Sequence, residues 1–186
     1  VAKNLLGKYY TDMHNYKKAI EIYQKNLLQA EELDDKSELA SSLLSIASFD
    51  DEELDDSLIL EYIQRALMIY EILNDRGGIA KALHRFGSYY SVRKEYETSL
   101  DYFTRALKIR QELGDRRGIG WLYNNIGIVY GGMGDGDKKL DYWERQLAIF
   151  KEIEDQFGIA WTLWNTGFTY AWDYYDFEKA LDYINQ

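Results

Sequence analysis

The sequence predicts an all-α fold, with antiparallel helix pairs stacked one after another into a right-handed superhelical α-solenoid. Three observations carry this. The chain falls on itself when shifted by 40 residues, its apolar positions recur at helical spacing, and its 186 residues include no proline. Proline usually punctuates loops and strand edges, so its absence removes the strongest breaker of helices. A fixed period of this length marks a solenoid or a related array.

The repeat is read position by position. Gly7, Ala47, Gly87, Gly127 and Gly167 align, as do Leu27, Leu67, Leu107 and Leu147. Asp35, Asp75, Asp115 and Asp155 align, and so do Tyr10, Tyr90, Tyr130 and Tyr170, with Asp50 as the exception. Segments 83–122 and 123–162 share 13 of 40 residues, far above chance for unrelated segments. The units run over about 3–42, 43–82, 83–122, 123–162 and, in part, 163–186, as a single array over 1–186. The chain starts at Val1 and ends at Gln186 inside a helical pattern, so it is expected to be a fragment of a longer protein.

Each unit reads as two helices. The first runs from about Arg76 to Arg93 in one unit and from Arg116 to Gly132 in the next. Ile79, Ala82, Leu83, Phe86 and Tyr90 supply its apolar stripe. A turn at Arg93-Lys94-Glu95 leads to a second helix from Tyr96 to Leu113, with Leu100, Phe103, Leu107 and Ile109 inward. Asp75, Asp115 and Asp155 suit N-caps, where a carboxylate accepts the orphan N–H bonds of the first turn. Glycine at 78, 118 and 158 costs helix stability, so close helix approach is expected there. The small residue at 7, 47, 87, 127 and 167 is expected where the two helices of a unit cross. One unit cannot bury its own apolar face, and stacking does so, with nearest-neighbour energetics. The fifth unit carries one extra residue before Phe177.

Composition narrows the function. There is no cysteine, which removes disulfides, thiolate metal sites and Cys nucleophiles together. With only His14 and His84, a histidine metal site is not expected. The net charge of −10 argues against nucleic-acid binding, because phosphate contacts need a basic surface. Residues 31–60 hold eleven acids against Lys36 alone. That stretch reads either as a solvated turn or as a docking patch for a basic partner, adding on-rate more than specificity. No apolar run approaches a membrane span and no signal peptide is present, so the expected location is cytoplasmic, with no membrane partner.

Motifs for chemistry are weak. Gly131 and Gly136 have the spacing of a phosphate loop, but Asp137 stands where lysine is required and no strand precedes them. Asp135, Asp137 and Asp141 lack the loop glycine and the closing glutamate of a calcium site. Neither histidine has a nucleophile context. No catalytic residue, metal or cofactor is expected.

The residues resemble the tetratricopeptide repeat (TPR) family in its longer, 40-residue form. The family's first-helix pattern of aromatic, Leu-Gly and Tyr is matched by Tyr123, Ile126-Gly127 and Tyr130. Its second-helix pattern is matched by Ser99, Phe103 and Ala106, and by Ala19 and Tyr23. The family's closing proline is missing from every unit, and Asn26 and Gln146 stand at usual alanine positions. The link at 112–119 is similar to those of long-unit arrays in signalling and regulatory proteins. The resemblance implies that first helices line a concave groove that binds peptides or partner helices.

On that implication the groove positions are Asn4, Lys8 and Thr11; Lys81, His84, Arg85, Ser88 and Ser91; Trp121, Asn124, Asn125, Ile128 and Gly131; and Trp161, Trp164, Asn165, Phe168 and Ala171, with Trp172 beside them. Trp and Arg anchors are typical of binding hot spots. Asn124-Asn125 looks like the paired asparagines that hold a ligand's main chain in long-unit members. The Trp set reads either as groove or as core. Asn4 and Lys8, Leu44 and Ser48, and His84 and Ser88 do not form the family's carboxylate clamp for chaperone tails.

The expected function is a non-catalytic protein- or peptide-binding scaffold with a protein or peptide partner, basic if the acidic stretch docks it. The alternatives are a regulatory or sensor segment of a larger signalling protein, acting on a domain of its own chain, and a self-association module.

Overall fold

A computed structural model describes residues 2–48 and 56–185, with side chains from residue 5 onward. Ten helices are described: α1 (Ala2–Asp12), α2 (Tyr16–Glu32), α3 (Lys36–Ile46), α4 (Asp56–Ile72), α5 (Arg76–Val92), α6 (Tyr96–Leu113), α7 (Arg116–Gly132), α8 (Gly136–Glu152), α9 (Gln156–Trp172) and α10 (Phe177–Ile184). The fold is an all-α solenoid of sequentially packed helices. The period of forty is set by helix pairs beginning at α1, α3, α5, α7 and α9, so a frame starting at 43, 83 or 123 cuts through a first helix. The contacts gather into two compact units, residues 1–89 and 90–186.

In residues 1–89, α1 packs on α2, α2 on α3 and α3 on α4. Ala19, Ile20, Tyr23 and Ile46 form a buried cluster with Tyr10 and Tyr62 against it. The helix α3 spans 11 residues where α5 spans 17. Asp50, Asp51, Glu52 and Glu53 follow it in sequence, and acids are unfavourable at the negative C-terminal end of a helix. The acidic patch expected at these four residues lies outside the described residues.

In residues 90–186, α6 packs on α7, α7 on α8, α8 on α9 and α9 on α10. Phe103, Leu122, Val129 and Phe150 are fully buried. Gln146 is buried as well, at the alanine position of its unit, and neither its Oε1 nor its Nε2 has a hydrogen-bond partner. Most of the described turns follow one recipe, the exception being Glu95 before α6, whose side chain makes no cap hydrogen bond. Asp35, Asp115, Asp135 and Asp155 each cap a helix by accepting an N–H three residues on, and Asp75 accepts from Gly78 N–H at 2.9 Å. The expected extra residue of the fifth unit sits in the α9–α10 turn, which moves its cap to Asp176, 41 residues after Asp135.

The residue immediately before each cap is left-handed. His14, Asp34, Asn74, Lys94, Gly114, Gly134, Glu154 and Tyr175 all have φ between 51° and 82°. Only two of these are glycine, and an L-residue pays about 1–2 kcal/mol in this region. Lys94→Gly is therefore expected to raise stability by about 0.5–1 kcal/mol, the strain relief being offset by a freer unfolded chain. A urea unfolding midpoint unchanged or lowered by this substitution would contradict the argument.

Candidate functional site

Two surfaces gather the predicted residues, one in each unit. In residues 90–186 the site is built on α7 and α9, whose starts are set by the Asp115 and Asp155 caps. Trp121 is half-buried on α7, with Phe150 behind it at 5.2 Å and Phe157 and Trp161 beside it at 6.1 and 6.4 Å. Along α9, Phe157, Trp161, Trp164, Phe168 and Trp172 follow at steps of four, three, four and four, so they form one stripe. Neighbouring rings stack or tilt at 5.6–6.3 Å. All five are exposed, Trp164 by 57% and Trp172 by 64%. Ile128 on α7 is exposed too, and Asn165 is half-buried. Of the two readings of the tryptophans, the structure supports surface over core for Trp161, Trp164 and Trp172. Trp143 is the core tryptophan, 5% exposed.

Asn124 departs from expectation. It is expected to face a ligand, yet it is only 6% exposed. The Trp161 indole folds over it from the next first helix, and its Nε1–H donates to Asn124 Oδ1 at 3.4 Å. Asn124 Nδ2 donates to Asn125 Oδ1 at 3.2 Å, and the Asn124 carbonyl accepts from Trp143 Nε1–H at 3.2 Å. Asn124 is thus a bracket between core and surface, while Asn125 stays half-buried at the rim. Phe157 was not among the predicted positions; its place four residues before Trp161, extending the stripe, was the available signal.

In residues 1–89 a cavity of about 380 Å³ opens between first helices. Lys8 and Thr11 from α1 meet Lys81, His84 and Arg85 from α5 across Ser41, Leu44 and Ser45 of α3 and Ser48 just past its end. Tyr23 and Tyr70 close its back. Burial pushes the Tyr70 phenol up to about 12, with the Asp75 and Glu38 carboxylates adding to the effect. Burial lowers the Arg85 guanidinium from its usual value, against a smaller opposing effect of Tyr23. Ser41 and Ser45 of α3 were not among the predicted positions; their spacing of four, with Ser48 three residues on, was the readable cue.

The glycine-rich segment 131–138 covers the end of α7, the inter-helix turn 133–135 and the first residues of α8. Gly134 takes the left-handed conformation and Asp135 caps α8. The Asp135 carboxyl is held below its usual range by hydrogen bonds from Lys138. Among the described residues no group of His, Asp or Glu is arranged to hold a metal ion, and no helix is long and apolar enough to cross a membrane.

Residues 78–138 match the tetratricopeptide repeat family model. No curated protein matches the chain. Among solved structures, the Rap protein complexed with competence and sporulation factor is 21% identical over 96% of this chain and 50% of its own, with a TM-score of 0.83. Aspartyl phosphate phosphatase F from Bacillus subtilis is 18% identical over 95% of this chain and 46% of its own, with a TM-score of 0.80. BtubC (BKLC) from P. vanneervenii is 23% identical over 97% of this chain and 74% of its own, with a TM-score of 0.73. The chain therefore spans about half the length of the Rap protein and of phosphatase F. At these identities the likeness establishes the fold. The matched segment is one and a half turns of a 40-residue period that runs through the whole sequence, so residues 78–138 are similar to the tetratricopeptide repeat family and the chain shares its fold.

Proposed function

We propose that the chain is a non-catalytic scaffold that binds a protein or peptide segment, with the aromatic surface of α7 and α9 as its main contact. The exposed stripe from Phe157 to Trp172 is the observation that carries this reading. Five large rings on one helix face cost water contact that a soluble fold has no reason to keep. Trp is also the residue type most enriched at binding hot spots. Asn125 at the rim offers an amide that can donate to or accept from a peptide backbone. The Rap protein, which shares the fold, is bound to a partner factor in its structure, and the likeness is consistent with a binding role here.

The test is selection of binding peptides from a random library with the intact chain, followed by calorimetric titration of variants. Trp164→Ala is expected to weaken binding by about 2 kcal/mol or more, with the melting temperature retained because the ring is exposed. Asn125→Ala is expected to cost about 1 kcal/mol, the scale of one hydrogen bond. Full affinity in Trp164→Ala would place the main contact elsewhere.

A further inference from the structure

Helices α1 and α10 carry core positions that no described helix covers. In residues 1–89 the joint between one helix pair and the next is built from Ala19, Ile20 and Tyr23 of α2 and Ile46 of α3. The three α2 residues lie four, five and eight positions after the cap Asn15. Counted from the cap Asp176, the same positions on α10 are Ala180, Leu181 and Ile184. Counted back by forty residues, Ile46 becomes Leu6 of α1. Both halves of the joint therefore occur a second time, one on α10 and the other on α1.

Burial separates the two sets. Ile20, Tyr23 and Ile46 are buried, whereas Leu181 is 59% exposed, Ile184 57% and Leu6 50%. Phe103 and Trp143 stand at the position of Ile184, Ile126 and Thr166 at that of Leu6, and all four are buried. Tyr9 is exposed where Val129 and Thr169 are buried. A solenoid helix that closes a stack carries a polar outer face, and neither of these two helices does. Leu5 and Met13 extend the α1 face, and Phe177 extends the α10 face, all exposed. What covers such a face inside the chain is a helix with the spacing of the joint, and a second copy has that spacing.

We propose that the chain associates with a second copy of itself head to tail, Leu181 and Ile184 on α10 of one copy receiving Leu6 and Tyr9 on α1 of the other as α2 receives Ile46. The direction follows from the other unit. Tyr96 at the start of α6 reaches the end of α7, where a Cβ added at Gly132 would lie 2.7 Å from its Oη. Phe177 holds the position of Tyr96, so it meets the end of the other copy's α1 beside Met13. The contact is heterologous, pairing two different faces, and so differs from an isologous contact that pairs α10 with α10. It is independent of the aromatic stripe and of the peptide-binding reading.

Sedimentation equilibrium of the intact chain tests this, from micromolar to millimolar concentration. The mean mass is expected to rise above that of the monomer as concentration increases. It should rise further with added salt, because the contact is apolar and the copies repel through their net charge of −10. Leu6→Lys and Leu181→Lys, both at exposed positions, should each weaken association at least tenfold, since each sets an ammonium against an apolar face. Mixed together, the two variants should pair one to one with the parent's affinity, because each retains the half that the other has lost. Tyr9→Lys replaces Leu6→Lys if circular dichroism shows that variant unfolded, and Trp164→Ala should associate as the parent does. A parent that is monomeric throughout overturns the proposal. So does a folded Leu6→Lys or Tyr9→Lys that associates like the parent, which marks α10 pairing with itself, or a mixture of variants that stays monomeric.

Discussion

Phe150→Ala is expected to lower stability by about 3–5 kcal/mol. Phe150 is fully buried on α8 and touches both neighbouring first helices. On α7 a Cβ added at Gly120 would lie 2.8 Å from its Cε1, and on α9 one at Gly158 would lie 2.5 Å from its Cδ2. Both glycines are notches that let the backbone come down onto the ring. Alanine would leave a space that α7 and α9 cannot both close, since their starts are tied by the Asp115 and Asp155 caps. Trp121 would lose its backing at 5.2 Å, so the candidate surface should loosen too. Urea unfolding followed by circular dichroism measures this, and a loss under about 1 kcal/mol would mean the helices collapse onto the gap.

Gly127→Ala is expected to destabilise by about 2–3 kcal/mol, against the roughly 1 kcal/mol gain that helix propensity alone would give. The new Cβ would sit 2.6 Å from Trp143 Nε1 and 3.2 Å from the Lys139 carbonyl oxygen. The indole must move, and it is buried with its N–H committed to the Asn124 carbonyl. Overpacking of this kind costs about 1–3 kcal/mol, and a buried donor left without its acceptor adds about 1–3 kcal/mol more. The displacement passes through Asn124 to Trp161, so tryptophan fluorescence should shift along with stability. A variant more stable than the parent would show that Trp143 is free to give way.

Much of this was legible beforehand. The aspartate caps, the three-residue turns and the second-helix limits follow from side chains acting on their own neighbouring backbone, and such local chemistry is written in the sequence. The left-handed turn residues were less visible, because Lys94, Glu154 and Tyr175 occupy positions where glycine would have announced them. The face of each first helix was readable from its period, and Trp161, Trp164, Ile128 and Phe168, assigned to one face, are exposed. Asn124 was misplaced because periodicity treats a helix as if it were alone. Its cover is an indole 37 residues away, and nothing within its own helix specifies that. The meeting of Lys8 with Lys81 and Arg85 has the same cause, since it depends on α3 bringing two non-adjacent first helices to one cavity.

The sequential packing has a kinetic consequence. Helices pack on their chain neighbours, and side-chain pairs such as Arg65–Glu31 and Trp121–Trp161 join residues about one repeat apart. The entropy of closing a loop grows only with the logarithm of its length, and for these pairs that length is about one repeat. Each helix pair can therefore dock on its predecessor at the same cost wherever it lies in the array. Adding or deleting units should leave the elementary folding rate of the remainder nearly unchanged, as expected where local contacts set the speed.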